Sequence, residues 1–356
     1  MQMMYYYFSF VDLPSKYYNM QEIPKRMLAV VQSGIGSKLE VKEVDVPIPN
    51  KGEVLVKVHY ASINPSDLSL LQGTFKNMPN YPIIPGIEGS GLVVASGGGV
   101  LAKLRLNKSV SCTSSEGLGG SWAEYMVTSA MHVVPIDKSI GYEQATSLIV
   151  NPLTALAFID IAKKKKVKSI LNNAAAGALG KMLISLAKNE DIDLINIVRN
   201  ENQKKYLENY GAKHVLNSTS KNYLTELKSI VHELDTKLYF DAIGGECTNN
   251  FIEASPERSQ IYVYANLSEE KGLFNPRTLL QQGKSIQGFF LGEYSSNQNI
   301  LKTLASIKKA QKLIHNELKT QVNKIFEFEE INDAIDTYSN NMSKGKVLLR
   351  NRNSGE

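Results

Sequence analysis

At 356 residues, the chain is longer than one hydrophobic core usually organises, which points to two domains. Hydrophobic residues at 43% and charged residues at 21% are an ordinary globular balance, and no apolar run reaches the roughly 20 residues of a membrane-spanning helix. The net charge of +5, from 40 basic and 35 acidic residues spread along the chain, excludes the dense basic stripe of a nucleic-acid binder.

Residues 1–26 carry an aromatic cluster, Tyr5, Tyr6, Tyr7 and Phe8, together with Asp12 and Glu22. A mitochondrial presequence is Arg-rich and poor in acids, and a secretory signal places basic residues before an apolar stretch. The segment is expected to be an N-terminal arm packed on the domain or a partner, and the chain to be cytoplasmic, with mitochondrial import as the alternative.

From 27 to about 148 the sequence reads as short β segments at 28–32, 39–44, 53–61, 91–95 and 109–113, punctuated by Gly and Pro. Pro47, Pro49, Pro65, Pro79, Pro82 and Pro85 interrupt any long helical period, because proline lacks the amide donor and clashes with the preceding turn. Cys112 and Cys247 stand far apart, and His59, His132, His214, His232 and His315 are scattered. Neither a disulfide framework nor a tetrahedral zinc site is expected from them, and a reducing compartment suits the two thiols.

Around Tyr142 the texture changes to alternating helix and strand. Helices are expected at 142–148, 154–163, 179–188 and 202–210, and strands at 169–173, 194–198, 214–216, 238–241, 261–264 and 285–290. Strands separated by helices imply parallel βαβ units and a doubly wound sheet. The basic run 163–166 reads as a solvated helix end, and a final strand is expected at 346–350.

The sharpest local signal is Ile170-Leu-Asn-Asn-Ala-Ala-Ala-Gly-Ala-Leu-Gly180, an apolar strand, a turn of tiny residues and a helix. Gly177 and Gly180 stand at the second and third glycines of G-x-G-x-x-G, with Ala175 at the first. A pyrophosphate must approach backbone amides at a helix N-terminus, and large side chains would hold it away. Ala176, Gly177, Ala178, Leu179 and Gly180 are therefore expected to contact a dinucleotide. About 20 residues on, where an acid would hold the ribose hydroxyls of NAD, the chain has Arg199. A guanidinium attracts the 2′-phosphate of NADPH and offers no acceptor to hydroxyls, so NADPH is the expected cofactor.

These residues also carry a resemblance. Asn64-Pro65-Ser66-Asp67, Pro85-Gly86-Ile87-Glu88-Gly89, Gly120-Ser121-Trp122-Ala123-Glu124, Asn151-Pro152-Leu153-Thr154-Ala155, the Ala-Gly turn and Gly345-Lys346-Val347 resemble the medium-chain dehydrogenase/reductase superfamily over 27–350. Within it the chain is most similar to zinc-independent quinone oxidoreductases and 2-enoyl thioester reductases. The resemblance implies a mostly β GroES-like substrate domain, 27–148 completed by 315–356, around a Rossmann domain, 149–314, and a homodimer. It also implies cofactor contacts from Asn151, Tyr264, Phe289, Phe290, Leu291 and Lys346. Ile87 occupies the zinc-ligand histidine position of zinc alcohol dehydrogenases, so no metal is expected.

The reaction implied by the resemblance is hydride transfer to a small quinone, an enone or a 2-enoyl thioester. For the latter two, negative charge develops that needs hydrogen-bond donors and then a proton. Similar enoyl reductases place a tyrosine acid in the loop where this chain has Phe75. Asn64 and Tyr81 remain as candidate donors. The alternative is a noncatalytic NADPH-binding or structural subunit that keeps the fold.

Overall fold

The computed structural model describes residues 23–75 and 78–354. Most of the expected arm, 1–22, lies outside the described residues, and its last residue, Arg26, opens a strand.

The first part of the chain folds as β1 (Arg26–Val31), β2 (Glu40–Asp45), β3 (Glu53–Ser62), β4 (Glu88–Ser96), β5 (Ser109–Thr113), β6 (Tyr125–Ser129) and β7 (Val133–Pro135). Its helices are short: α1 (Pro65–Leu71), α2 (Val100–Arg105) and α3 (Tyr142–Ala145). β6 and β7 were not anticipated, because each is too short for a local alternation to stand out; their pairing with β3 and β5 defines them. β3 is buried along most of its length, as a strand covered on both faces must be. Its Val56 and Val58 share a core with Val93, Trp122, Met126 and Leu349.

The second part comprises α4 (Val150–Lys164), β8 (Ser169–Asn172), α5 (Ala178–Asn189), β9 (Asp193–Val198), α6 (Glu201–Asn209), β10 (His214–Asn217), α7 (Tyr223–Glu233) and β11 (Leu238–Asp241). It continues through α8 (Gly245–Ala254), β12 (Gln260–Val263), α9 (Pro276–Gln282), β13 (Ser285–Gly288), α10 (Leu291–Ser296) and α11 (Ile300–Leu313). Every pairing here is parallel, in the order β10-β9-β8-β11-β12-β13. This is the expected doubly wound sheet, with its order reversing between β8 and β11. Ile170 and Leu171, adjacent on β8, enter different cores, since successive strand side chains point to opposite faces.

α4 begins four residues earlier than expected, with Pro152 inside its first turn. Proline is tolerated there because the amide it lacks would have no helical partner anyway. The helix closes on Lys163 and Lys164, which pair with Glu190 at 2.5 Å and Asp160 at 2.8 Å. Strands β12 and β13 stop short of their expected ends, leaving Tyr264 and Phe289 just beyond them.

The chain then returns as β14 (Val322–Glu327), α12 (Ile331–Asn340) and β15 (Lys346–Arg350). β15 pairs antiparallel with β3, Leu348 opposite Ser62, so the C-terminal segment completes the first sheet rather than the parallel one.

Candidate functional site

In a doubly wound sheet, ligands bind outside the carboxyl ends of the strands, where the strand order reverses. β8 ends there at Asn172, and the chain turns through Asn173 to Gly177, with Ala174 at φ +50°, before α5 begins. The turn is fastened by Ala175 N–H donating to the Ile197 carbonyl at 3.1 Å and Gly177 N–H donating to Ala174 at 2.9 Å. Gly177 is the N-cap of α5, and no side chain caps that helix. Its first-turn amides have no helical acceptor by construction, and the helix dipole favours an anion in front of them. A Cβ on Gly180 would lie 2.1 Å from the Ala175 carbonyl oxygen, so only glycine lets the helix sit this close to the turn.

The other expected contacts follow the same carboxyl edge. Arg199 is the residue after β9; it is exposed, its backbone amide donating to Gln203 Oε1 at 3.2 Å, and among the described residues its guanidinium has no partner. Beside the turn, Asp241 at the end of β11 is wholly buried. It accepts from Asn173 Nδ2 (2.5 Å), Thr248 Oγ1 (2.5 Å), Ile243 N–H (2.9 Å) and Gly244 N–H (3.0 Å), while Asn173 Oδ1 accepts from Ala242 N–H at 2.7 Å. This network ties the two strands at the reversal point together. Sequence reasoning did not assign Asp241 or Asn173 a part; an Asp closing a strand just before Gly244-Gly245 was the available sign.

Tyr264 and Phe289 stand at the edge but turn inward. The Tyr264 ring meets Phe158 edge-on at 5.1 Å and its hydroxyl donates to Asn172 Oδ1 at 3.2 Å; burial holds the phenol above its ordinary range. Phe289 packs on Phe158 at 4.9 Å and on Tyr294 at 5.5 Å. Both rings thus pack on Phe158 of α4 beside the strand ends, where aromatic side chains fill an apolar hollow. Phe290 is 50% exposed. Leu291 lines a cavity of about 210 Å³ among α4, α10 and α11 with Leu153, Asp160 and Tyr294. The amide Nδ2 of Asn172 is buried without a partner among the described residues.

A second polar cluster lies where the antiparallel sheet meets α4. Asn64, Asp67, Glu88, Ser62 and Lys346 are all buried there. The Lys346 ammonium donates to Asn64 Oδ1 and to the Ile63 carbonyl at 3.3 Å, and Asn64 Nδ2 donates to Ser62 Oγ at 3.0 Å. Asp67 accepts from the Asn64 and Ile87 amides at 2.7 and 2.8 Å. Burial pushes its carboxyl up to about 7, opposed by those two amides and by Lys346. Burial likewise raises Glu88 and lowers Lys346, each opposed by the attraction of the other. Lys346 is thus held against Asn64 within the framework, and Asn64, itself 1% exposed, spends its oxygen on Lys346 and one of its two amide hydrogens on Ser62. Asn151, in the first turn of α4, is half-buried beside this cluster.

Tyr81 and Phe75 belong to the segment between α1 and β4, both half-buried. The Tyr81 hydroxyl is buried with no partner among the described residues, a condition that a native protein normally relieves with water or a ligand.

The profile of the alcohol dehydrogenase GroES-like domain matches residues 50–138, and that of the zinc-binding dehydrogenase family matches residues 178–306. A candidate NADPH:quinone reductase from Mesorhizobium loti is 31% identical in sequence; the match covers 93% of this chain and 100% of that one, with a TM-score of 0.86. The mitochondrial enoyl-[acyl-carrier-protein] reductase of Mus musculus is 27% identical over 285 residues, 78% of this chain and 75% of its own. The synaptic vesicle membrane protein VAT-1 homolog of Homo sapiens is 24% identical over 343 residues, 90% and 85%. Among the described residues, no three His, Cys, Asp or Glu side chains converge as a metal site, and no helix is long and apolar enough to cross a membrane.

Proposed function

Because this chain belongs to the medium-chain dehydrogenase/reductase superfamily, a family of oxidoreductases, we propose that it is an NADPH-dependent reductase of quinones or of activated C=C bonds in enones or 2-enoyl thioesters. The observation that carries this reading is the Gly180 contact with Ala175, which sets the uncapped start of α5 against a turn of tiny side chains. That cradle fits a dinucleotide diphosphate. Ala176, Gly177, Ala178 and Leu179 would face the phosphates, Arg199 the 2′-phosphate, Asn151 and the Phe290 edge the nicotinamide end. NADPH, when bound, supplies hydride. The relatives named for quinone and enoyl-thioester reduction support the two acceptor classes.

The chain's own residues favour the quinone. Phe75 offers no proton, Asn64 is committed to Lys346 and Ser62, and Tyr81 is the one unpaired phenol of that segment among the described residues. An electron-poor quinone accepts hydride readily and takes its protons from water, whereas an enone or enoyl thioester needs a placed donor. With Ile87 at the position where zinc alcohol dehydrogenases hold a histidine ligand, and no cysteine in Asn64-Pro65-Ser66-Asp67, the donor set does not fit zinc, and no zinc-assisted step is derived.

We divide the chain into an arm at 1–26, a substrate domain of 27–148 with 315–356, and a cofactor domain at 149–314. We also place the protein in the cytoplasm, where two unpaired thiols stay reduced. A homodimer is supported by β13, an edge strand that among the described residues pairs only with β12, and by Leu280, 83% exposed on the preceding helix.

The test is NADPH oxidation by the purified protein with an enoyl-CoA, a simple enone, an ortho-quinone and a para-quinone. Saturable turnover with a quinone is expected. Saturable NADPH binding without turnover on any acceptor would favour a noncatalytic cofactor-binding subunit, a reading motivated by Phe75 and by the relative named as a synaptic vesicle membrane protein. No NADPH binding at all would defeat both.

A further inference from the structure

Helix α4 starts without a cap of its own. Ile149 stands at its N-cap, has no side-chain oxygen to offer, and makes no side-chain bond there. Two of its leading amides are instead satisfied from the other sheet: Glu88, the first residue of β4, accepts from the Ile149 and Val150 N–H groups through one oxygen at 2.8 Å each. Pro152 has no amide to satisfy, and Leu153 N–H donates back to the Ile149 carbonyl at 3.1 Å. Among the described residues, the Asn151 amide is the donor of this turn that has no acceptor.

The carboxylate is itself fixed. Ser62 Oγ donates to its other oxygen at 3.4 Å, the Lys346 ammonium is the neighbouring cation, and Glu88 is only 1% exposed. A negative charge at a helix N-terminus is favourable, more so where water is excluded. One side chain therefore joins the end of the antiparallel sheet to the beginning of the helix that carries Asn151.

We propose that Glu88 is a positioning residue for the cofactor: by capping α4 from the opposite sheet it holds the Asn151 turn in the conformation that receives the nicotinamide half of NADPH. This rests on the NADPH reading above. Glu88 touches neither cofactor nor substrate; it acts through the backbone of Ile149 and Val150.

The experiment compares wild type with Glu88→Ala, Glu88→Asp and Glu88→Gln by hydrogen exchange over 149–153 without cofactor, by NADPH titration, and by kcat at saturating NADPH. Wild type should protect the Ile149 and Val150 amides. Loss of the cap in the Ala variant should speed their exchange and raise the NADPH Kd about tenfold, the scale of a lost N-cap, with kcat changing about threefold or less. The Asp variant, its carboxylate withdrawn by one methylene, gives the same comparison if the Ala variant does not fold. Glutamine keeps an acceptor oxygen and should restore Kd to within about threefold of wild type.

Unprotected Ile149 and Val150 amides in wild type, or a folded Ala or Asp variant that binds NADPH as wild type does, overturns the proposal. So does a Gln variant no better than Ala. If wild type itself shows no saturable NADPH binding, the cofactor reading falls and this role falls with it, while the exchange data still decide whether Glu88 caps the helix.

Discussion

Gly180 lies against the carbonyl of Ala175 so closely that a Cβ would stand 2.1 Å from its oxygen. Gly180→Ala must therefore push α5 away from the turn or twist the turn itself. The variant should lose roughly 1–3 kcal/mol of stability, as overpacked sites do, and at least about tenfold in NADPH affinity, about 1.4 kcal/mol being a factor of ten. Denaturant unfolding and fluorescence titration check both; wild-type values in each would contradict the packing described.

Arg199 is exposed at the end of β9, where it can read charge without being needed for folding. Arg199→Ala should raise the KM for NADPH at least about tenfold through lost charge-assisted bonds, and change the KM for NADH by about twofold or less. Steady-state kinetics with both cofactors decides this, and an equal rise for the two would remove the basis for the NADPH assignment.

Phe75 is half-buried in the segment shared with Tyr81. If an acid is what the site lacks, Phe75→Tyr should raise enone reduction by roughly tenfold or more, within the range of general-acid catalysis, and leave quinone reduction unchanged. The companion variant Tyr81→Phe should reduce whatever enone activity the wild type has. An enone rate indifferent to both substitutions would place the proton source elsewhere.

His59 gives a pH signature. Burial first, and Lys57 second, hold its imidazole down to about 4, whereas in the unfolded chain it titrates near about 6.5. The folded state therefore excludes a proton that the unfolded state takes up, so this contribution is present above about pH 6.5 and is lost as pH falls toward 4. His59→Phe keeps a ring to stack on Tyr142, now 4.0 Å away, but has nothing to protonate. Between about pH 7 and pH 5 the Tm of wild type should fall further than that of the variant. Asp67, whose raised carboxyl works in the opposite sense over this window, is common to both proteins and cancels in the comparison. Parallel melting curves across the range would show that His59 is not the group responsible.

The strand, turn and helix around Gly180 were legible from sequence because their requirements are local. A strand, a turn of tiny residues and a helix follow one another within 170–180, and the steric need for Gly180 is met by a neighbour five residues away. Arg199 follows its strand directly, so its exposure could be read from position alone. The doubly wound sheet needed only the alternation of strands and helices, which implies parallel pairing and the hand of the crossovers, whereas the order of its strands came from the fold. The short strands β6 and β7 escaped notice because they exist through pairing with β3 and β5, not through any pattern of their own.

Side-chain direction was a different matter. Tyr264 and Phe289 were correctly near the strand ends, but their rings follow the hollow beside Phe158, more than a hundred residues earlier in the chain. Asn64, Asp67 and Glu88 could be seen in sequence as members of motifs, and Lys346 as a cation near the end. Their joint burial required β15 to come back beside β3, which sets Lys346 on Asn64 across 282 positions. Sequence by itself determined the backbone cradle and the charge at its rim, because tiny residues and strand ends act on their immediate neighbours. Only the tertiary structure decided which polar groups are sealed, which are spent on one another and which are left unpaired, because desolvation and pairing belong to the packed whole.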